Sequence, residues 1–108
     1  MSKADTTSLS GQWHLYVLEC RDGALYTGIS NDVARRYAAH LAGKGARYTR
    51  LNPPQRIALV YPFADKSQAL KAEYAFKRLS AAAKRQLVAS GDLRDWLAAR
   101  TAPPEPAQ

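Results

Sequence analysis

Residues 13–30 read WHLYVLEC, then RDG, then ALYTGIS, and this segment limits the possible folds more than any other. Two apolar runs flank an Asp-Gly pair, the pattern of a β-hairpin. The first run is apolar on both faces, with Leu15 and Val17 on one and Tyr16, Leu18 and Cys20 on the other. A strand of that kind needs cover on both sides. The turn decides which side chains meet. A two-residue turn would put Tyr16 and Tyr26 on opposite faces of the hairpin. A three-residue turn, Arg21-Asp22-Gly23, with Gly23 in the left-handed bulge position, puts them on the same face, and this is the register expected.

The rest of the chain arranges itself around that hairpin. Asp32 is a good N-cap for VARRYAAHLA, a helix that stops at Gly43. Its buried stripe is read as Val33, Tyr37 and Leu41. Arg36 and His40 lie four apart on the border of that stripe and point together toward whatever the helix packs on, while Arg35 faces away. GKGARYTRLNPPQ reads as a basic loop, because Pro53 and Pro54 oppose a regular helix. RIALVYPF is a third strand. SQALKAEYAFKRL is a second helix, capped by Asp65 or Ser67, with Ala69, Ala72, Phe76 and Leu79 inward and Glu73 on the rim. Tyr37, Tyr74 and Phe76, at helical spacing, are read as core. Ser80 caps AAAKRQLVAS, which ends at Gly91, and DLRDWLAAR makes a short final helix. The expected fold is α+β, a three-stranded antiparallel sheet flanked by helices in the order β-β-α-β-α-α. Residues 13–100 form one domain, 1–12 a loose lead-in, and 101–108, TAPPEPAQ, a Pro-rich tail.

Composition narrows the function classes. No apolar run reaches the roughly 18 residues of a membrane span. MSKADTTSLSGQ lacks the apolar stretch of a signal peptide. The lone Cys20 excludes an internal disulfide and any multi-cysteine metal site, so a reducing, cytoplasmic setting is expected. The net charge of +7 is unevenly spread. Between Val33 and Ala64 there is no acid, but there are Arg35, Arg36, Lys44, Arg47, Arg50 and Arg56. Between Lys66 and Gly91, Glu73 is the only acid among Lys66, Lys71, Lys77, Arg78, Lys84 and Arg85. Folded together, such segments attract a polyanion, and Arg35, Lys44, Arg47, Arg50, Lys77 and Lys84 are the candidate nucleic-acid contacts.

Two tyrosines, an arginine, a histidine and one glutamate on a basic surface suit phosphodiester hydrolysis. The reaction needs an activated water, charge stabilisation at phosphorus and help for the leaving oxygen. The planar fork of Arg36 suits the phosphate. A single carboxylate, Glu73, can hold one Mg²⁺ completed by waters and substrate oxygens. A tyrosine could take the water's proton if nearby cations lower its pKa from about 10. His40 could relay that proton or hold the tyrosine hydroxyl.

From Trp13 to about Val88 the chain resembles the GIY-YIG nuclease superfamily. His14-Leu15-Tyr16 stands at the first triplet and Tyr26-Thr27-Gly28 at the second. Arg36 follows Gly28 by eight, His40 comes one helical turn later, and Glu73 is on the next long helix. LYTGISNDVARRYAAHLAGKGARYTR is similar to the small single-domain bacterial branch. His14 replaces the glycine of the first triplet, Thr27 replaces an aliphatic residue in the second, and no asparagine follows Asn52. The resemblance implies single-metal hydrolysis of DNA, with RNA left open and repair or recombination as a setting. It makes Tyr16 the base or water-orienting group and gives Tyr26 and Arg36 the phosphate. His40 supports Tyr16, and Glu73 holds Mg²⁺ or Mn²⁺. The alternatives are a non-catalytic nucleic-acid-binding module of the same fold and a small protein that docks an acidic partner. Glu73 weighs against them, since an isolated carboxylate among lysines repels a polyanion unless a cation sits on it.

Overall fold

The computed structural model describes residues 12–101. The expected lead-in and Pro-rich tail therefore lie, but for one residue each, outside the described residues. The elements are β1 (Trp13–Cys20), β2 (Leu25–Ser30), α1 (Val33–Leu41), α2 (Arg47–Leu51), β3 (Pro54–Phe63), α3 (Lys66–Lys77), α4 (Ala81–Ser90) and α5 (Leu93–Thr101). The sheet is antiparallel in the order β2-β1-β3, so β1 is central, as its two apolar faces require. Among the described residues no helix is long and apolar enough to cross a membrane.

The hairpin closes as a three-residue turn. Cys20 N–H donates to Ala24 O at 2.8 Å, and Gly23 N–H donates to Cys20 O at 2.8 Å. Gly23 has φ +89°, the left-handed conformation that glycine adopts without a steric cost. The Asp22 carboxylate accepts from Ala24 N–H at 2.8 Å and stiffens the turn. Tyr16 then pairs with Gly28 and Leu18 with Tyr26, which puts both tyrosines on one face of the sheet.

Leu15 and Val17, on the other face, meet Phe76 of α3 and Leu93 of α5, with Ile29, Leu59 and Trp96 packed around them. Burying each such side chain contributes about 1.5–3 kcal/mol, so this face carries most of the hydrophobic stabilisation. Helix α3 presents Ala69, Ala72 and Phe76 as expected, and also Ala75. The three small alanines let it lie close to the sheet. Its cap is Asp65, which accepts from Gln68 N–H at 2.9 Å. Ser80 caps α4, which ends at Gly91 with φ +72°.

Four readings need correction. The basic loop contains α2, one short helical turn that ends at Asn52, just before the prolines that preclude its continuation. Strand β3 begins at Pro54 rather than Arg56, because two irregularities in its pairing carry the register on to Cys20 opposite Pro54. A proline is tolerated there as the first residue of an edge strand. Leu41 is 53% exposed rather than buried, and His40 takes the inward position of α1. Tyr74, assigned to the core, is exposed and stacks under Arg78. In both helices the periodicity was right, and the docking rotation about the axis decided which residues face inward.

Candidate active site

Tyr16 leans across β2. A Cβ at Gly28 would lie 2.6 Å from the Tyr16 hydroxyl and 2.7 Å from its Cζ, so glycine is the residue that lets the ring lie flat over the neighbouring strand. The hydroxyl meets His40 Nε2 at 3.0 Å in a buried contact, and His40 is only 1% exposed. Tyr26 packs its ring edge-to-face against His40, with centroids 5.2 Å apart.

The far side of the imidazole decides where the protons are. His40 Nδ1 lies 2.6 Å from Thr49 Oγ1, and Thr49 donates its own hydroxyl proton to Ala46 O at 3.0 Å. Toward His40 the threonine can therefore only accept, so Nδ1 carries the hydrogen. In the neutral ring Nε2 then has the free lone pair and accepts from the Tyr16 hydroxyl. Burial, and secondarily the Arg36 charge, hold the His40 pKa below its ordinary 6.5, which favours this neutral form. The result is a directed chain from Tyr16 O–H through His40 to Thr49 and a backbone carbonyl. Gly45 makes room for it, since a Cβ there would collide with the His40 ring.

Burial raises the Tyr16 pKa above 10, and the adjacent Arg36, which pulls it down, does not outweigh that effect. The expectation that cations alone would lower it fails in the free protein. Tyr16 is a neutral phenol, and it can take a proton only by handing its own to His40. Arg36, although exposed on α1, is close enough to act on both Tyr16 and His40. The structure thus brings Tyr16, Tyr26 and His40 into contact on one face of the sheet, with Arg36 acting on Tyr16 and His40, while Glu73, on α3, reaches Tyr16 through its charge. The Glu73 side chain is 19% exposed and contacts Lys77 Nζ at 3.1 Å, an i,i+4 ion pair. Such a half-exposed pair contributes little to stability.

Arg35, Lys44, Arg47 and Arg50 are exposed, on α1, α2 and the link between them. Lys77 is held by Glu73. Lys84 is placed elsewhere: it lines a groove with Ala24, Leu25 and Arg85 by the hairpin turn, on the sheet face away from Tyr16. A larger groove of about 710 Å³, between Tyr61, Phe63, Gln68, Lys71 and Leu97, is also on that other face and takes no part in the tyrosine–histidine constellation. Among the described residues no three His, Cys, Asp or Glu side chains gather as a metal cluster. A lone carboxylate is nevertheless an acceptable donor set for a hard, mostly hydrated cation such as Mg²⁺.

Sequence reasoning passed over Thr49, Gly45 and Tyr48. Thr49 lies nine residues from His40, a spacing that matches no helical or strand period. Gly45, two residues after Gly43, looked like ordinary loop composition.

The family described as the GIY-YIG catalytic domain matches residues 12–86. A UPF0213 protein of Cupriavidus pinatubonensis is 57% identical over 77 residues, covering 71% of this chain and 86% of its own length. A UPF0213 protein of Cronobacter sakazakii is 44% identical over 95 residues, covering 88% and 98%. The solution NMR structure of the UPF0213 protein BH0048 from Bacillus halodurans is 45% identical. That match covers 72% of this chain and 83% of that one, at a TM-score of 0.48.

Proposed function

Because the chain belongs to the GIY-YIG catalytic-domain family, we propose that it is a divalent-metal-dependent endonuclease that hydrolyses DNA phosphodiester bonds, in repair or recombination. The observation that carries this reading is the directed contact from the Tyr16 hydroxyl to His40 Nε2 at 3.0 Å.

The attacking water binds at the Tyr16 hydroxyl. As its oxygen approaches phosphorus, its proton passes to Tyr16 Oη, and the phenolic proton passes to His40 Nε2. No net charge is left on the tyrosine, so its raised pKa does not hinder the transfer. The imidazolium that forms keeps its Nδ1–H on Thr49 Oγ1. Arg36 and Tyr26 orient and polarise the phosphate, for which the Arg36 fork is suited. Glu73, released from Lys77, would hold Mg²⁺ or Mn²⁺, whose chemistry when bound is Lewis-acid stabilisation of the leaving oxygen. Lys77 is then free to meet a phosphate. The exposed Arg35, Lys44, Arg47 and Arg50 supply counterion-release affinity for the strand.

A second reading, a non-catalytic binding module, draws on the Glu73–Lys77 pair, which gives the carboxylate an ordinary partner without a metal. One experiment separates the two. The purified chain with Mg²⁺ or Mn²⁺ is offered flapped, branched, single-stranded and duplex DNA. Wild type is expected to nick or cut, and Tyr16→Phe and Glu73→Ala are expected to lose cutting while retaining binding. A wild type that binds DNA and cuts nothing in the panel leaves the binding module as the function.

A further inference from the structure

Tyr48 belongs to no step of that reaction, yet both its ring and its hydroxyl have partners. Its ring lies nearly parallel to that of Tyr26, at an interplanar angle of 11° with centroids 6.3 Å apart. Its hydroxyl accepts from Asn52 Nδ2 at 3.1 Å, and Asn52 Oδ1 accepts from Asp22 N–H at 3.3 Å, which ties the ring to the hairpin turn. A tyrosine fixed in this way as core filling would be covered, but Tyr48 is 43% exposed. Arg47 and Arg50 are exposed beside it on the same short turn, and the chain carries no acid from Val33 to Ala64. Thr49, between them, is turned inward to hold His40. The α2 turn therefore places the ring at the edge of the site, stepping outward from His40 through Tyr26 to solvent.

We propose that Tyr48 is a stacking platform for an unpaired nucleobase next to the scissile phosphate, so that the enzyme takes nucleic acid with a single-stranded segment at the cut. The inference rests on the nuclease reading and adds the form of its substrate. Aromatic rings flanked by cations bind single strands because every base has a π-face and every nucleotide a phosphate. The fixed hydroxyl adds to this, since a ring already ordered in the free protein loses little entropy on stacking. A base within a duplex is covered by its neighbours and cannot use the platform without unstacking.

The test measures binding without divalent metal, so that cleavage does not enter. Fluorescence anisotropy follows an oligothymidylate, an abasic strand of the same length and a duplex, each with wild type, Tyr48→Ala, Tyr48→Leu and Tyr48→Phe. Tyr48→Ala and Tyr48→Leu are expected to weaken oligothymidylate binding by about 5- to 150-fold, the range of one base–aromatic stack. The abasic strand is expected to bind all four proteins alike. Tyr48→Phe, which keeps the ring and loses only the hydroxyl's tie to Asn52, is expected to bind the oligothymidylate more tightly than Tyr48→Ala and Tyr48→Leu and within a few-fold of wild type. Tyr48→Leu keeps the apolar packing on Tyr26, so a loss shared by both variants is not a folding defect. Equal losses on base-bearing and abasic strands, or no loss, would overturn the proposal. Failure of the nuclease reading shows separately, as a wild type that binds and never cuts. A wild type that cuts duplex DNA independently of Tyr48 would leave the nuclease reading standing and end this one.

Discussion

On one face of β1, Leu15 and Val17 join Phe76 and Leu93 in an apolar cluster. On the other, Tyr16 meets His40 through a hydrogen bond that continues to Thr49 and Ala46. Leu15, Val17, Tyr16 and His40 are all buried, but the two faces depend on different things. The apolar face is held by area and shape, which tolerate substitutions that conserve volume. The polar face is held by a chain of donors and acceptors from Tyr16 through His40 and Thr49 to Ala46, in which each link orients the next. Removing one atom there leaves another buried and unsatisfied. Stability comes mainly from the first face, and the proposed chemistry uses the second, on alternate residues of a single strand.

Tyr16→Phe is the strongest test of that division. It is expected to lower cleavage by about 10²- to 10⁴-fold, the usual contribution of a positioned proton acceptor, while the folded structure persists. Cleavage within a few-fold of wild type would break the comparison on the chemical side. Phe76→Ala tests the other side. It is expected to cost about 3–5 kcal/mol in urea denaturation, and a loss below about 1 kcal/mol would mean that the apolar face is not the main source of stability. Gly28→Ala crosses between the two, because its Cβ must displace the Tyr16 ring. About 1–3 kcal/mol of overpacking cost is expected together with a fall in cleavage, and unchanged cleavage would show that the ring can shift without harm.

Thr49→Val removes the acceptor for His40 Nδ1–H and is expected to cost about 1–3 kcal/mol, with Thr49→Ser restoring stability. If serine does not rescue, the methyl group rather than the hydroxyl is what matters. The smallest effect is in the pH dependence. The His40 pKa is depressed in the native protein by burial and then by Arg36. Below the unfolded value of about 6.5 the unfolded chain gains a proton that the native protein refuses. The contribution is complete above that pH and is lost as pH falls through the lowered native value. The urea midpoint of wild type should therefore fall further than that of His40→Gln between pH 7.5 and 5. Parallel curves would place the titration elsewhere.

The register of the tyrosine pair was legible in the sequence because it depends on one turn. Gly23 can adopt a positive φ and the Asp22 side chain caps the bend, and both are properties of neighbouring residues. The caps at Asp32, Asp65 and Ser80 were readable for the same reason. Two positions were misread. In α1 the stripe was carried on to Leu41, although His40 takes the buried place, and in α3 periodicity could not show that Tyr74 faces out. Those choices follow from how a helix rotates against the sheet. The Arg47–Leu51 turn was obscured by the prolines just beyond it.

By itself, then, the sequence determined the hairpin and its register, the order of elements apart from the Arg47–Leu51 turn, and the run of basic residues, because these follow from short-range sterics and periodicity. Only the tertiary structure decided that His40 and not Leu41 takes the buried place on α1, that Thr49 orients its ring, that burial outweighs Arg36 at Tyr16, and that Tyr48 is left open to solvent. Each of these depends on atoms from segments far apart in the chain, so none could be read before the helices docked on the sheet.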